Sequence, residues 1–368
     1  MAETYASHFR IDNIPYGIAS SSKQLSLQAV TRIGDSVLFL AELSEQKPFS
    51  SISQPLPSIF KEKNLNTENI KHVTMHLPAQ IGDFADFSVS PDHVQNAPEA
   101  LFGVRSFPAT FHNLPIGYAG RCSSIDTSGK PVTRPLGQYI EDYVATQKEV
   151  AFGATRGLDY ELEIGAIAGR PVAAGAGVYA KDTDEHIFGL GKEMRDPLGP
   201  LNGKNFATSI SPWVVTLETL KPFEVPAASH THPVVDYLRD PNSISYDLTI
   251  EAHLTRKGTA TTVCKVGFSH VYWTLRQMLA HNSIGGCPLR SGDLLASGTV
   301  SGTEKSQYAC LMELTMNGRQ PFTLDDGSQL QYLEDEDTLR FTAVAGTAGA
   351  GAGFGECVGS IKPARNIL

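Results

Sequence analysis

Paired cysteines, basic runs and long apolar stretches are all missing from this chain. The five cysteines (Cys122, Cys264, Cys287, Cys310, Cys357) are odd in number and widely scattered, with no CxxC pair. That argues against zinc sites and against a disulfide framework, and points to idle or buried thiols in a reducing compartment. No Lys/Arg-rich stretch stands out and the net charge is −9, so a nucleic-acid footprint is not expected. No run approaches the ~18 apolar residues a membrane span needs. The N-terminus shows no charged segment leading into an apolar one, so no secretory signal is read. A cytoplasmic protein is the expectation. What the chain does have is 368 residues, enough for two units at ~100–200 residues each. Its 33 glycines and 22 prolines are many for a helical protein and suggest strands joined by turns.

The first 78 residues read as a small module of short strands plus a helix, with a Pro/Ser stretch over 48–57 and a polar segment over 61–69. From about Leu77 onward turn residues and strand-like runs dominate, and no repeat of fixed period is present. Three segments alternate with period two and are expected as strands: Leu158–Ile164, Asp247–Leu254 and Tyr308–Met316. A helix is expected over Phe268–Ala280, where apolar residues recur at helical spacing. The class is mainly β with a few helices.

Glu161 and Glu163, two apart on an expected strand, point to one side ~7 Å apart along the chain. Buried, such a pair needs a cation, and paired hard oxygens favour Ca²⁺ or Mg²⁺ over zinc. On a wet strand face the same alternation is ordinary, so both readings stay open. Asp83 and Asp86 fall in a segment where aspartate commonly serves turns, close in sequence to His93. Histidine is the commonest general base, though also a common structural residue. Glu313 sits between apolar neighbours and is either wet or buried with a His or Lys partner. Lys204 and Thr208 lie in GPLNGKNFATSISPW, which lacks phosphate-loop spacing.

Several segments together are more specific. HLPAQIGDFADF (76–87), LPIGYAGRCSSI (114–125), PVTRPLGQ (131–138), LDYELEIG (158–165), HIFGL (186–190), LGPLNGKNFATSISPWVV (198–215), LRSGDLLASGTVSG (289–302) and GFGECVG (353–359) run in order over most of the chain, with PYGIA (15–19) before them. This series resembles the fumarylacetoacetase (fumarylacetoacetate hydrolase) family. The resemblance implies a small N-terminal barrel-like domain over 1–78 and a larger C-terminal β-roll or β-sandwich over 79–368 that forms a homodimer. It also implies hydrolysis of a carbon–carbon bond in a small-molecule β-diketone, giving fumarate and acetoacetate at the end of tyrosine and phenylalanine breakdown. By that resemblance Asp86, Glu161, Glu163 and Thr208 belong to a Mg²⁺ or Ca²⁺ site, His93 and Glu313 form the catalytic dyad, Lys204 holds the reacting oxygen, and Tyr118 and Thr299 contact substrate.

The chain also departs from the family pattern. Eight residues, LGKEMRDP, separate Gly189 from Leu198, where the family has more than twice as many. The longer family segment finishes a core strand and supplies a fourth acidic ligand, an arginine and a glutamine at the oxyanion, and a substrate-facing tyrosine. Asp196 and Arg195 are the nearest stand-ins here. Ser88 replaces a family tyrosine. Arg105 is the nearest counterpart of an arginine that follows the catalytic histidine. A shortened strand would leave backbone groups unpaired. These departures give a second reading: a divergent or truncated member acting on another acylpyruvate or diketone, or a non-catalytic dimeric homologue.

Overall fold

A computed structural model describes residues 5–41, 67–141, 147, 149–195, 203–347 and 350–366; of the side chains of 192–195 nothing is described. The fold is mainly β with few helices. Near the N-terminus five strands form one antiparallel sheet in the order Thr67–Asn69, Ser36–Phe39, Gln28–Ile33, Tyr16–Ser21, Val73–His76. Phe9, Ala19, Val30, Val37 and Phe39 fill its core together with Trp213 from far along the chain. Tyr16 and Val214 exchange backbone hydrogen bonds at 2.8–2.9 Å, and Gly17 lies so close to the Pro212 carbonyl that a Cβ there would sit at 2.8 Å. The sheet is thus fastened to the SISPWVV segment. The expected Pro/Ser stretch over 48–57 lies outside the described residues.

Two larger sheets stack beyond it. In one, the strands Gly117–Ala119, Phe84–Phe87, Leu294–Ala296, Glu161–Ala168, Ile187–Arg195, Thr208–Ile210 and Ile125–Thr127 lie side by side. The other runs Thr259–Gly267, Leu248–Arg256, Thr338–Ala345, Ala352–Lys362, Val132–Thr133. Leu162, Ile164 and Ala166 meet Ile250, Ala252, Leu254 and Phe341 in one core cluster, giving a β-sandwich. The opposite face of the first sheet is also covered: Phe84, Ile167, Ile210, Val214 and Leu294 pack with Leu77, Ala79 and Ile81. Every residue from Glu161 to Ala168 is therefore buried, and the wet-face reading of that strand does not hold.

Two element expectations are corrected. Tyr308–Met316 is not a strand, because Leu311–Leu314 forms a short helix that carries Glu313. Its first amides are satisfied by a side chain 152 residues earlier, which no local pattern reveals. The expected helix over Phe268–Ala280 spans Leu275–Ile284 instead. Thr274 and Gln277 form a capping box that starts it there, and the apolar residues before it, Phe268 to Trp273, are simply buried. The strand expected to be shortened is paired: Ile187–Arg195 runs antiparallel to Glu161–Ala168, from Ile187 opposite Ala168 to Arg195 opposite Glu161, with a register shift at Phe188. Its other edge pairs with Thr208–Ile210 and Val215–Thr216. Asp196 lies outside the described residues.

Candidate active site

Period-two geometry places Glu161 and Glu163 on the face of the strand that bears Ile167, away from the core between the sheets. Asp86 shares the corresponding face of its own strand with Phe84, and a single strand, Leu294–Ala296, separates the two. Asp86, Glu161 and Glu163 are only 2%, 3% and 1% exposed. In the register of the sheet Asp86 stands opposite Tyr118, whose hydroxyl donates to Asp86 Oδ2 at 2.5 Å.

Lys204 joins this group from the loop before the Thr208–Ile210 strand. Its ammonium donates to the Tyr118 hydroxyl at 3.3 Å and to both Glu161 oxygens at 3.3 Å, and lies 5.2 Å from the centre of the Tyr118 ring. Asp86, Tyr118, Lys204 and Glu161 thus form one bonded chain of side chains. Thr208 is buried in its strand, opposite Arg195 on one side and Ile125 on the other. Thr299 is buried in the segment that follows Leu294–Ala296, and its hydroxyl has no hydrogen-bond partner among the described residues. Gly298 brings that segment against the strand of Asp86. Its φ is +73°, and a Cβ there would lie 1.9 Å from the Phe87 carbonyl oxygen.

His93 occupies the first turn of the helix Pro91–Phe102, whose N-cap Ser90 accepts from the His93 backbone N–H. Its Nδ1 lies 3.1 Å from Glu313 Oε2. A carboxylate only accepts, so Nδ1 carries the proton and Nε2 keeps the lone pair. Glu313 Oε2 also accepts from Ser301 at 2.6 Å and from the Cys310 thiol at 3.1 Å, and Oε1 accepts from Asn96 at 2.9 Å. Burial disfavours the His93 cation, but the Glu313 carboxylate outweighs it and His93 lies above its ordinary value. Burial likewise pushes the Glu313 carboxyl up, and His93, Ser301 and Cys310 together hold it below its ordinary value. Glu161 raises the His93 value further and Lys204 lowers it, so both lie within electrostatic reach of the dyad.

The donor set at Asp86, Glu161 and Glu163 is all oxygen and almost wholly removed from water. Such a set suits a hard divalent cation. His93, Cys310 and Glu313 also offer ligand atoms within 4.8 Å of one another. Burial holds the Cys310 thiol well above its usual range, and the thiol donates to Glu313.

Sequence reasoning missed the groups that hold Glu313. Asn96 follows His93 by three residues, which puts both on one helix face, a signal available once the helix is recognised. Ser301 and Cys310 left no such signal. Asp159 reads as one more acid of the alternating run, yet it precedes the strand and is fully buried. Its Oδ1 accepts from the Tyr160 and Leu311 amides and its Oδ2 from the Met312 amide, at 2.6–2.7 Å. Burial pushes its carboxyl up to about 7 despite these three bonds. Arg105, read as the nearest counterpart of an arginine that follows the catalytic histidine, donates to Asn96 and Glu99.

Residues 84–362 match the family Fumarylacetoacetate (FAA) hydrolase C-terminal, and residues 12–68 match Fumarylacetoacetase N-terminal. The chain is 34% identical to the fumarylacetoacetase of Arabidopsis thaliana, covering 97% of this chain and 96% of that protein. It is also 34% identical to the human fumarylacetoacetase, with 97% of each chain covered. The Arabidopsis alignment extends over 409 positions, more than the 368 residues here, so that relative holds residues this chain lacks. The fold is shared with the crystal structure of maleylpyruvate hydrolase from Sphingobium sp. SYK-6, at a TM-score of 0.53 and 14% identity over 94% of this chain and 99% of that one. With both halves of the chain matched, and with near-complete coverage of the relatives, this protein belongs to the fumarylacetoacetate hydrolase family.

Proposed function

We propose that this chain hydrolyses the carbon–carbon bond of a β-diketone, 4-fumarylacetoacetate first among them, to fumarate and acetoacetate. The observation that carries the reading is the His93–Glu313 hydrogen bond, with Glu313 buried and His93 only 13% exposed, within electrostatic reach of the Lys204–Glu161 contact. The names of the full-length relatives select the substrate.

In this reading Asp86, Glu161 and Glu163 hold Mg²⁺ or Ca²⁺, with Thr208 in the segment behind them. A bound divalent cation supplies Lewis-acid polarisation of the diketone oxygens. His93 Nε2 takes a proton from water, and Glu313 stabilises the imidazolium that forms. The hydroxide adds to the fumaryl carbonyl, and Lys204 faces the oxyanion that develops there. The carbon–carbon bond then breaks with its electrons on the acetoacetate carbon, and His93 returns the proton to it. Water is consumed and nothing is oxidised or reduced. Tyr118 and Thr299 contact the substrate from either side of Asp86.

The wider reading adds a homodimer acting in the cytoplasm in tyrosine and phenylalanine breakdown, with residues 1–78 as a separate small module. Five free cysteines suit a reducing compartment, and the N-terminal strands keep a sheet of their own. The decisive experiment incubates the purified chain with fumarylacetoacetate and Mg²⁺ and follows fumarate release. Turnover lost in His93→Ala supports the proposal. Release from an acylpyruvate instead favours the divergent-member reading suggested by Ser88 and the short 190–197 segment. No turnover of either substrate by a metal-binding, folded chain favours the non-catalytic one.

A further inference from the structure

Glu313 is held through both of its oxygens, and the two sides differ. Oε2 faces His93, Ser301 and Cys310. Oε1 accepts from Asn96 Nδ2 at 2.9 Å. Asn96 is itself buried, and its Oδ1 accepts from Arg105 Nη1 at 2.5 Å. A guanidinium only donates and a carboxylate only accepts, so the amide has one orientation that satisfies both: oxygen to Arg105, nitrogen to Glu313. Arg105 is anchored in turn by Glu99 at 3.0 Å and Asp92 at 3.8 Å. Arg105 therefore serves the dyad from behind rather than the substrate from in front.

We propose that Asn96, oriented by Arg105, is a positioning residue for the His93–Glu313 pair: it fixes the plane of the Glu313 carboxylate so that Oε2 meets His93 Nδ1 and leaves Nε2 as the basic nitrogen. This rests on the reading of His93 as general base. The physical argument is one of satisfaction. Without Asn96 the buried Oε1 loses its donor, and a desolvated carboxylate oxygen turns toward whatever donor remains. The nearest are those now on Oε2, so the bond that orients His93 is the one disturbed. A positively charged donor on Asn96 Oδ1 also polarises the amide and strengthens its bond to Glu313.

The groups around the pair are fixed. Glu313, Glu161 and Lys204 act on His93, and Ser301 and Cys310 on Glu313. Asp92 carries Arg105 and His270 near it on the helix side, and Asp159 lies beneath the Glu313 helix.

The test uses the full chain, freed of metal, with the His93 ring followed by NMR during a pH titration, and in parallel kcat and KM with metal present. Wild type should titrate above 6.5. Asn96→Ala should bring the His93 midpoint back toward that value and lower kcat by about 10- to 100-fold with little change in KM. Arg105→Gln, a change at a part-exposed side chain, should move both in the same direction by less and serves if Asn96→Ala does not fold. In a Glu313→Gln background Asn96→Ala should cost nothing further. An unmoved His93 midpoint in Arg105→Gln and Asn96→Ala overturns the proposal, as does full additivity with Glu313→Gln. The NMR arm reads the geometry without turnover, so inactivity of the wild type, or activity surviving in His93→Ala, would reject the reading of His93 as base without being mistaken for failure of the Asn96 contact.

Discussion

Asp159 and Leu311 meet at 2.6 Å, carboxylate oxygen to backbone N–H, across 152 residues of sequence. The same carboxylate takes the Met312 amide at 2.7 Å. It thereby supplies acceptors for the first turn of a helix only four residues long, one too short to persist by its own hydrogen bonds. Glu313 is in that turn, so the distance between Glu313 and His93 is set partly by Asp159. Asp159→Ala should leave three buried amides without acceptors and destabilise the chain by roughly 3 kcal/mol, with Asp159→Asn milder. Urea unfolding measures it; an unchanged midpoint in Asp159→Ala would show that the cap is not needed.

His93→Ala should lower kcat by about 10²–10⁴, the usual worth of a positioned base. Lys204→Met should lower it by about 10²–10³, as for other oxyanion donors. Steady-state kinetics with fumarylacetoacetate decide, and a Lys204→Met variant that changes KM alone would move Lys204 from the reacting oxygen to ground-state binding.

Calorimetry with Mg²⁺ or Ca²⁺ should show binding that disappears in Glu161→Gln and in Glu163→Gln. At 100 times the dissociation constant the ion should add about 2.7 kcal/mol to the stability of the wild type. A wild-type chain whose melting temperature ignores both ions would remove the metal from the proposed site.

The dyad makes stability depend on pH in a defined window. His93 lies above 6.5 when folded, so its contribution is complete below pH 6.5 and is lost as pH rises through the folded value. Glu313 lies below 4.5 when folded, so its contribution is present above pH 4.5 and is lost as pH falls through the folded value. The pair supports the metal-free fold most between pH 4.5 and 6.5. The stability difference between wild type and His93→Gln should be largest there and shrink as pH rises through the folded His93 value above 6.5; a difference that grows with pH contradicts the assigned shifts.

Gly298→Ala should destabilise by about 2 kcal/mol or more, because the position has positive φ and no room beside the Phe87 carbonyl. It should also displace Thr299 and reduce activity before the chain unfolds. Parallel melting and activity curves measure both effects, and a neutral variant would show that the segment after Ala296 can retreat from the strand of Asp86.

The sequence by itself determined the family, through motifs in collinear order, and the candidate groups Asp86, His93, Glu161, Glu163, Lys204 and Glu313. It also determined which side of a strand Glu161 and Glu163 share, since alternation is a local property of extended backbone. Burial of that strand on both faces was decided by what packs there: the second sheet on one side and, on the other, the Leu77–Ile81 segment at its Ile167 end and Lys204 at Glu161. Glu313 was legible as a residue type but not as a helical residue, because the period-two pattern of Tyr308–Met316 loses to an acceptor brought in from Asp159. Arg105 was legible only as an arginine that follows His93, because sequence distance was the only measure available; in space it donates to Asn96 and Glu99. The eight residues after Gly189 looked like a broken strand, yet Ile187–Arg195 finds partners on both edges. Hydrogen-bond partners between distant segments are not encoded in any local period, so only the tertiary structure decided which polar groups hold Glu313 and His93.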